Sequence, residues 1–281
     1  MSERATGSGD AGPGFYAQVG SNLPACYDAG LGPIFFVDFA DDIARRVASA
    51  APLRVLETAA GTGIVSRRLR DLLPVAAELT VTDLNPGMLE VARRKFSDRE
   101  QVTIEPADAG ALPFADGSFD AIVCQFGLMF FPDRNLAFRE AHRTLARGGR
   151  YLFSVWDSLR HNRIGHLVTE IVAGFFPGDP PRFFEAPFNC HRVDPIRDGL
   201  DEAGFADLRI AVLSVDKIVP DVPTYAQALV PGSPLLDEIR ARGDVDPERV
   251  VAALAEALPR EFGAAPTRIP LQAIVFEARR R

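Results

Sequence analysis

Four polar side chains stand at or just beyond the carboxyl ends of four predicted strands: Glu57, Asp83, Asp108 and Gln125. The first strand is a short apolar run typical of a buried parallel strand, and the four predicted strands span residues 53–57, 78–83, 102–105 and 119–125. Parallel strands in an open α/β sheet end along one edge, and such sheets bind ligands there. Carboxylate and amide oxygens at that edge accept hydrogen bonds from hydroxyl and amino groups, and carboxylates attract cations. The sequence therefore predicts a polar, ligand-binding sheet edge.

A loop of small residues follows the first of these strands and leads into an amphipathic segment, residues 64–73. Gly61 and Gly63 allow positive φ angles and a close approach of the backbone to a ligand. The free N–H groups at the start of the next helix can hold a carboxylate or phosphate. The dinucleotide fingerprint G-x-G-x-x-G is not met, because its third glycine would fall on Ser66. Taken alone, the loop also fits a plain connection between a strand and a helix.

Composition and charge limit the classes of function. The chain has 281 residues, of which 47% are hydrophobic, enough for one α/β domain with additions and a sizeable core. A formal net charge of −7 argues against nucleic acid or an anionic membrane as a partner held by bulk electrostatics. The terminal arginines, 279–281, are too short a run to change that expectation.

The cysteines and the hydropathy pattern predict a cellular location. Cys26, Cys124 and Cys190 lie far apart, without the spacing of metal ligands, so we expect reduced thiols and no metal site. Residues 1–14 contain no apolar signal core, and no run of 18 apolar residues occurs. The sequence predicts a cytoplasmic protein without stable membrane association, as a monomer or homodimer.

The chain order predicts one domain with additions at both ends. Residues 1–13 have the composition of a disordered tail. Residues 14–50, rich in aromatic side chains, are expected to form an N-terminal helical lid, and residues 51–160 a ligand-binding core. Residues 161–281 complete the same domain, and residues 220–262 form a substrate-lid insertion between the last two strands. The domain boundaries remain expectations at this point.

Periodicity and turn residues predict further elements. Asn85 and Pro86 suit the cap and first position of a helix. Gly148 and Gly149 are expected to end another. The predicted helices are 86–96, 135–146, 164–176, 194–203, 224–230, 235–240 and 247–258, and the predicted later strands are 150–156, 208–215 and 271–276.

Several of these segments together resemble the class I S-adenosylmethionine-dependent methyltransferases. They are Val55-Leu56-Glu57 with Gly61-Thr62-Gly63, Thr82-Asp83 through Met88-Leu89, Asp108-Ala109 through Pro113-Phe114, Phe119-Asp120, Phe130 to Asp133, and Leu145 to Arg150. The likeness covers roughly residues 53 to 157. It is greatest to the small-molecule branch with a methyltransferase type 11 domain, which includes the ubiquinone and menaquinone C-methyltransferases. Ala59 departs from the pattern, because that family usually has the first glycine of the loop there.

This resemblance implies an α/β fold: a Rossmann-like, mostly parallel sheet of seven strands with an antiparallel last strand, helices on both faces and helical lids. It also implies S-adenosyl-L-methionine as cofactor. Glu57 would meet the methionyl ammonium, Asp83 the ribose hydroxyls, Met88 the adenine face, and Asp108 the adenine amino group. The full set of implied cofactor contacts is Glu57, Ala59, Gly61, Thr62, Gly63, Asp83, Leu84, Met88, Asp108, Ala109, Gln125 and Phe126.

The methyl acceptor is predicted only as a small molecule, with an oxygen, carbon or nitrogen nucleophile unresolved. Aromatic lids favour a planar or apolar compound such as an aromatic, quinone-like or polyketide metabolite. A sulfonium donor needs orientation more than acid–base help, so no catalytic residue is assigned; His161 and Tyr27 are candidates. The expected substrate-contacting residues are Tyr16, Tyr27, Met129, Trp156 and His161.

Two other functions are compatible with parts of the pattern. The fold can retain the cofactor for chemistry other than methyl transfer, or as a sensor, and the motifs do not distinguish these uses. An NAD-dependent oxidoreductase shares the opening strand, loop and helix. The missing third glycine and the Asp108-Ala109 motif disfavour it.

Overall fold

The structure, a computed structural model, describes residues 23–281, except the side chains of Leu23 and Cys26. Its centre is a seven-stranded sheet with the strand order β3-β2-β1-β4-β5-β7-β6. Strands β1 to β5 run parallel, and β7 runs antiparallel to both of its neighbours. The predicted fold class is therefore confirmed. The strands are β1 (Arg54–Glu57), β2 (Glu78–Asp83), β3 (Val102–Pro106), β4 (Phe119–Gln125), β5 (Leu145–Trp156), β6 (Phe205–Val219) and β7 (Thr267–Arg280).

Helices cover both faces of this sheet. The α-helices are α1 (Leu23–Gly30), α2 (Val37–Ala48), α3 (Ile64–Leu72), α4 (Pro86–Arg93), α5 (Arg134–Thr144), α6 (Arg163–Phe175), α7 (Val193–Glu202), α8 (Val222–Leu229), α9 (Leu235–Arg242) and α10 (Pro247–Phe262). A π-helical turn, Gly32–Phe36, joins α1 to α2, and short 3-10 turns lie at Leu128–Phe130 and Phe183–Phe188.

Two apolar layers hold the helices to the sheet. On one face, Ile43 of α2 and Leu69 of α3 are buried with Val55, Val81 and Val123 of the strands. On the other face, aromatic rings from α5 and from strands β5, β6 and β7 pack edge to face or stack, among them Phe138, Tyr151, Phe153, Phe205 and Phe276. Burying such side chains supplies about 1.5–3 kcal/mol each, so these two layers fix the positions of the strand ends.

The boundaries of several elements differ from the predicted ones. Helix α4 ends at Arg93 rather than residue 96, and α5 ends at Thr144. Gly148 and Gly149 therefore lie inside β5, where the pairing with β4 shifts register, and they do not end a helix. The prediction of a glycine cap was wrong because a bulge also needs the positive φ of Gly148, which is +78°.

Strands β6 and β7 are much longer than predicted, at 15 and 14 residues. They pair from Phe205 with Arg280 to Val219 with Thr267. Beyond the predicted ranges, β6 carries polar residues such as Asp216 and Lys217 that break the apolar alternation. Pairing with β7 extends the strand there. Strand β6 is also an edge of the sheet, and three of its apolar side chains are exposed: Ile210, Val212 and Ile218.

The segment between β6 and β7 contains helices α8, α9 and α10 and starts and ends at the carboxyl edge of the parallel strands. Its buried residues Tyr225 and Leu254 belong to the same apolar cluster as Leu271 of β7. Helix α8 meets α1: a Cβ atom added at Gly30 would lie 3.2 Å from the Cβ of Ala228. The N-terminal and C-terminal additions thus touch each other above the sheet edge.

Among residues 23–281, no helix combines the length and hydropathy needed to cross a membrane.

Candidate functional site

The loop after β1 turns sharply beneath the carboxyl ends of the strands. Gly61 and Gly63 have φ angles of +56° and +78°, and Ala59 also has a positive φ of +51°. A Cβ atom at Gly63 would lie 2.9 Å from the Cβ of Ala92, so glycine allows α3 to start against α4. Ala59 thus occupies, with a side chain, the left-handed conformation that glycine adopts at lower cost.

Glu57 is buried at the end of β1. Its carboxylate accepts a 2.5 Å hydrogen bond from the Ser66 hydroxyl of α3, and its carbonyl accepts one of 2.9 Å from the hydroxyl of Thr82. Burial raises the pKa of Glu57 to about 8, and the nearby Asp83 carboxylate adds to the rise. A cation placed beside Glu57 would restore its charge, because an opposite charge favours the ionised carboxylate.

Asp83 ends β2 and holds the glycine loop. One carboxylate oxygen accepts from the N–H of Gly61 at 2.7 Å, and the other from the N–H of Asn85 at 2.8 Å. Burial raises its pKa, and these backbone hydrogen bonds oppose the rise. The N–H of Leu84 is a third backbone donor to this carboxylate. Because the two oxygens together accept about four hydrogen bonds, the group keeps acceptor capacity for a ligand.

Two segments after β2 and β3 continue the same edge. Asn85 caps α4 by accepting from the N–H groups of Gly87 and Met88, and the Met88 side chain is buried, whereas Leu84 is exposed. Asp108 is exposed two residues beyond β3, where it accepts from the N–H of Gly110 at 2.8 Å. Ala109, beside it, is partly buried.

Two side-chain oxygens near the loop and β4 are buried and have no hydrogen-bond partner among the described residues: Thr62 Oγ1 and Gln125 Oε1. The Gln125 amide Nε2 donates to the carbonyl of Phe36 at 3.2 Å, which ties the N-terminal addition to the end of β4. A buried polar atom without a partner costs about 1–3 kcal/mol. Both oxygens therefore fit a site that a polar ligand completes.

Phe126 follows Gln125 with a φ of +53°, which is uncommon for a bulky side chain. Its ring stacks on Trp156 at the end of β5, with centroids 4.0 Å apart and planes 5° apart. Phe36 and Phe39 of the N-terminal addition pack against this pair. The stack stabilises a strained backbone at the carboxyl edge, as is common at functional sites.

An aromatic cavity of about 70 Å³ lies on the far side of this stack. Its wall comes from α1, the π-helical turn, the segment after β4, the end of β5, α6, the Phe183–Phe188 turn and β7. The lining residues are Tyr27, Leu31, Phe35, Phe36, Phe126, Met129, Phe130, Trp156, Asn162, Ile164, Phe183, Phe184, Pro187, Phe188 and Leu271. Three of the expected substrate residues, Tyr27, Met129 and Trp156, are among them.

Tyr27 lies between the cavity and the residues that the resemblance assigns to the cofactor. Its ring stacks on Phe36 with centroids 5.3 Å apart. Burial raises the pKa of the Tyr27 phenol, and the carboxylates of Asp83 and Asp28 raise it further. The same side chain thus faces the aromatic wall and feels the charge of Asp83, so the two parts of the site are neighbours.

Two other predicted residues do not join this arrangement. His161 is exposed and is not part of the cavity wall. Tyr16 lies outside the described residues, as does the predicted tail, 1–13. The described residues contain no group of three or more histidine, cysteine or acidic side chains placed to hold a metal ion.

The sequence reasoning missed most of the cavity wall, in particular Phe35, Phe36, Phe183, Phe184 and Phe188. The signal was present in the aromatic residues before β1 and in the loop rich in proline and phenylalanine between α6 and α7. Aromatic side chains of a pocket and of a core have the same types and spacing, so pattern alone does not separate them.

Known proteins share this combination of sheet and loop. The methyltransferase domain family matches residues 56–153. A demethylmenaquinone methyltransferase of Thermus thermophilus is 46% identical over 169 residues, which cover 59% of this chain and 67% of that protein. A ubiquinone/menaquinone biosynthesis C-methyltransferase UbiE of Rhodopseudomonas palustris is 40% identical over 111 residues, covering 38% of this chain and 44% of that protein. The chain therefore spans two thirds of the first relative and less than half of the second.

Among solved structures, phosphoethanolamine N-methyltransferase 2 of Haemonchus contortus in complex with S-adenosyl-L-methionine aligns with a TM-score of 0.61. The alignment covers 97% of this chain and 60% of that one at 16% sequence identity. At this identity the likeness concerns the fold.

Proposed function

Because the chain belongs to the S-adenosylmethionine-dependent methyltransferases, we propose that it transfers the methyl group of S-adenosyl-L-methionine to an apolar, aromatic small molecule held in the cavity beside Trp156. The observation that carries the proposal is the shared wall: Tyr27, Phe36 and Phe126 line the cavity, and the same residues contact or neighbour Asp83 and Gln125. A donor at the polar edge and an acceptor in the cavity would then be adjacent.

The residues at the edge suit the parts of the donor. Glu57 and Asp83 offer carboxylates to its ammonium group and ribose hydroxyls, and the bend at Gly61 leaves room near the backbone: a Cβ atom there would meet nothing within 4 Å. The unpaired oxygens of Thr62 and Gln125 would gain partners. Asp108 and Met88 complete the edge at the adenine end, as the resemblance implies.

The donor supplies an activated methyl group, so the work of this chain is orientation. The stacked rings of Phe126 and Trp156 form a flat, nearly dry surface on which a planar acceptor can stack, since each is only 6% exposed. Aromatic pairs of this kind contribute about 0.5–1.5 kcal/mol beyond burial. Correct orientation of two reactants lowers a barrier by about 7–11 kcal/mol.

The cavity is smaller than the range of about 300–1,000 Å³ that is usual for small-molecule sites. An acceptor must therefore displace side chains that α1, the π-helical turn and the Phe183–Phe188 turn contribute. This supports the hypothesis that the N-terminal segment, 14–50, acts as a lid. The insertion, 220–262, contributes no residue to the wall, and its proposed role as a lid depends on its contact with α1.

Two titrations test the proposal. We expect S-adenosylhomocysteine to bind the protein in a calorimeter and NAD to give no heat, which would exclude an oxidoreductase. With S-adenosylmethionine and a mixture of aromatic acceptors, we expect S-adenosylhomocysteine to accumulate. Binding of the cofactor without any turnover across phenols, thiols, amines and 1,3-dicarbonyl compounds would favour a sensor or a different use of the sulfonium.

A further inference from the structure

The cavity wall offers a ligand very few polar groups. Its polar members are Tyr27, Asn162 and Trp156, whose indole N–H is a hydrogen-bond donor. The Asn162 amide is already engaged: its nitrogen donates to the carbonyls of Asp157 and Gln272 at 3.0 and 2.9 Å, and its oxygen accepts from the N–H of Gln272 at 2.9 Å. The Tyr27 hydroxyl and the Trp156 indole N–H are therefore the polar groups that the described wall leaves for an acceptor, and the indole N–H cannot accept a proton.

Tyr27 is a hydrogen-bond donor to a ligand and not a base. Its phenol ring stacks on Phe36 in the cavity wall, and burial together with the nearby carboxylates of Asp83 and Asp28 raises its pKa. The phenol thus keeps its proton throughout the neutral pH range. A buried neutral O–H group stabilises an anion placed against it, because hydrogen bonds to charged groups contribute about 1.5–3 kcal/mol.

Two further ionisable groups near the cavity are buried and keep their protons: the Tyr225 phenol, which packs on Phe35, and the Cys190 thiol, because burial raises the pKa of both. Several other ionisable groups on the elements around the cavity are engaged or face solvent. The Asp157 carboxylate accepts from the Gln272 amide at 2.6 Å and from the N–H of Ser158. His161 and Glu185 are exposed, and the His191 ring contacts the Phe188 carbonyl at 2.7 Å. On the polar edge, the Glu57 carboxylate accepts a hydrogen bond from the Ser66 hydroxyl, and the Asp83 carboxylate accepts hydrogen bonds from the backbone N–H groups of Gly61 and Asn85.

The surroundings favour a reaction in which opposite charges cancel. An anionic nucleophile and a sulfonium attract each other far more strongly in an apolar cavity than in water, since the energy varies inversely with the effective dielectric constant. The products of methyl transfer from this pair lack both charges, so an apolar wall favours them further. A neutral nucleophile would instead leave a proton for the wall to remove.

From this wall we infer that the acceptor is methylated as an anion which it forms by its own acidity: a thiolate, an acidic phenolate or the enolate of a 1,3-dicarbonyl compound. The inference rests on the proposed function. The acceptor loses its proton to water before it enters. The bond from its sulfur, oxygen or carbon to the methyl carbon then forms while the carbon–sulfur bond of the sulfonium breaks, and that electron pair stays on the sulfur.

A matched pair of probes separates acidity from shape. 2-Naphthalenethiol is largely ionised near neutral pH, whereas 2-naphthol is not, and the two differ by one atom. At saturating S-adenosylmethionine, we expect 2-naphthalenethiol to be methylated at a rate that stays constant between about pH 7 and pH 9. The rate with 2-naphthol should rise about tenfold per pH unit over that range, in proportion to its anion.

Binding gives a second measurement that does not depend on turnover. The chain has a single tryptophan, Trp156, in the cavity wall, so its fluorescence reports occupation of this cavity. We would measure the dissociation constant of the thiolate probe from the quenching of Trp156. We expect the probe to bind at least tenfold more tightly when the cationic analogue sinefungin is bound than when S-adenosylhomocysteine is bound. 2-Naphthol should bind equally with both.

Three results would overturn the inference. The first is an equal, pH-independent rate for both probes, which would indicate a base in the protein. The second is loss of the tenfold slope for 2-naphthol in Tyr27→Phe, which keeps the ring and would identify Tyr27 as that base. The third is binding of the thiolate probe, measured by quenching of Trp156, that is equally tight with sinefungin and with S-adenosylhomocysteine. Failure of the proposed function itself looks different, because no methylated product would then form from either probe or from any other acceptor tested.

Discussion

Single residues at the carboxyl edge have two roles in this site, one toward a ligand and one toward the loop. Asp83 has acceptor capacity for ribose hydroxyls, yet it also fixes the N–H of Gly61 at 2.7 Å. Glu57 keeps a buried carboxyl beside Ser66 at 2.5 Å. Substitutions here therefore report on binding and on loop geometry together, and the choice of variant decides which is measured.

We expect Asp83→Asn to weaken binding of S-adenosylhomocysteine roughly 10- to 150-fold, since a hydrogen bond to a charged group contributes about 1.5–3 kcal/mol. Asparagine keeps the size of the side chain and one oxygen for Gly61. Calorimetric titration measures the change, and Asp98→Asn, at an exposed position in a loop, is the matched control. An unchanged dissociation constant in a folded Asp83→Asn variant would remove Asp83 from the site.

Ala59→Gly should raise the free energy of unfolding by about 0.5–1 kcal/mol. A side chain in the left-handed region costs about 1–2 kcal/mol, and the extra freedom of glycine in the unfolded chain returns about 0.5–1 kcal/mol. The neighbouring Ala60 has no positive φ, so Ala60→Gly should lower stability by a similar amount. Urea denaturation of both variants checks the pair, and equal losses would show that Ala59 is unstrained.

The pKa of Glu57 links stability to pH. In the folded protein this pKa is raised to about 8 from 4.5. Between those values the folded chain holds a proton that the unfolded chain has lost, so the free energy of unfolding falls by about 1.4 kcal/mol per pH unit as pH rises. This stabilising contribution of Glu57 is fully present below about pH 4.5 and is lost as the pH rises through about 8.

Glu57→Gln should remove that slope. We would measure the free energy of unfolding of the native chain and of the variant by urea denaturation at three pH values between about 5.5 and 7.5. In this range the difference between the two proteins should change by 2.303RT per pH unit. The stability of the native chain relative to the variant should decline steadily across the series. A constant difference would mean that Glu57 is ionised in the folded protein.

At the scale of elements, α1 and α8 are the two additions that meet above the sheet edge. Their contact is close, because Gly30 and Ala228 leave no room for larger side chains. Ala228→Leu should push α1 outward and expose Trp156, whose emission should then shift to longer wavelength. Ala252→Leu, at an exposed position of α10, is the control and should leave the emission unchanged. An unshifted spectrum in Ala228→Leu would argue that the additions do not cover the cavity jointly.

Sequence patterns predict the bounds of some of these elements and not of others. Strands β2 and β4 begin and end at the predicted residues, because both are short segments rich in β-branched residues that end at a polar side chain. The length of β6 and β7 was not predictable, since pairing between distant segments extends them past polar residues such as Lys217. The carboxylates of the sheet edge were predictable because they stand at or near the ends of predicted strands. The aromatic wall was not predictable, because its residues come from distant segments that only the fold brings together.

For the whole molecule, ligand binding should appear as a gain in thermal stability. At a free S-adenosylhomocysteine concentration of 100 times its dissociation constant, binding stabilises the folded state by about 2.7 kcal/mol. For a chain of this size that corresponds to a rise in Tm of roughly 5–10 °C. NAD at the same concentration is the control, and we expect no shift. An equal shift with NAD would contradict the assignment to this family of methyltransferases.

The position of β7 has a consequence for synthesis. It is the last of the seven strands to leave the ribosome, yet it lies between β5 and β6. Until it emerges, the nascent chain has an open apolar edge at β5, and β6 has no neighbour. Translation proceeds at about 5–20 residues per second, and unfinished sheets of this kind are prone to aggregation. The interval before β7 emerges is therefore the period in which the open edges of β5 and β6 are exposed to aggregation, and the emergence of β7 closes both.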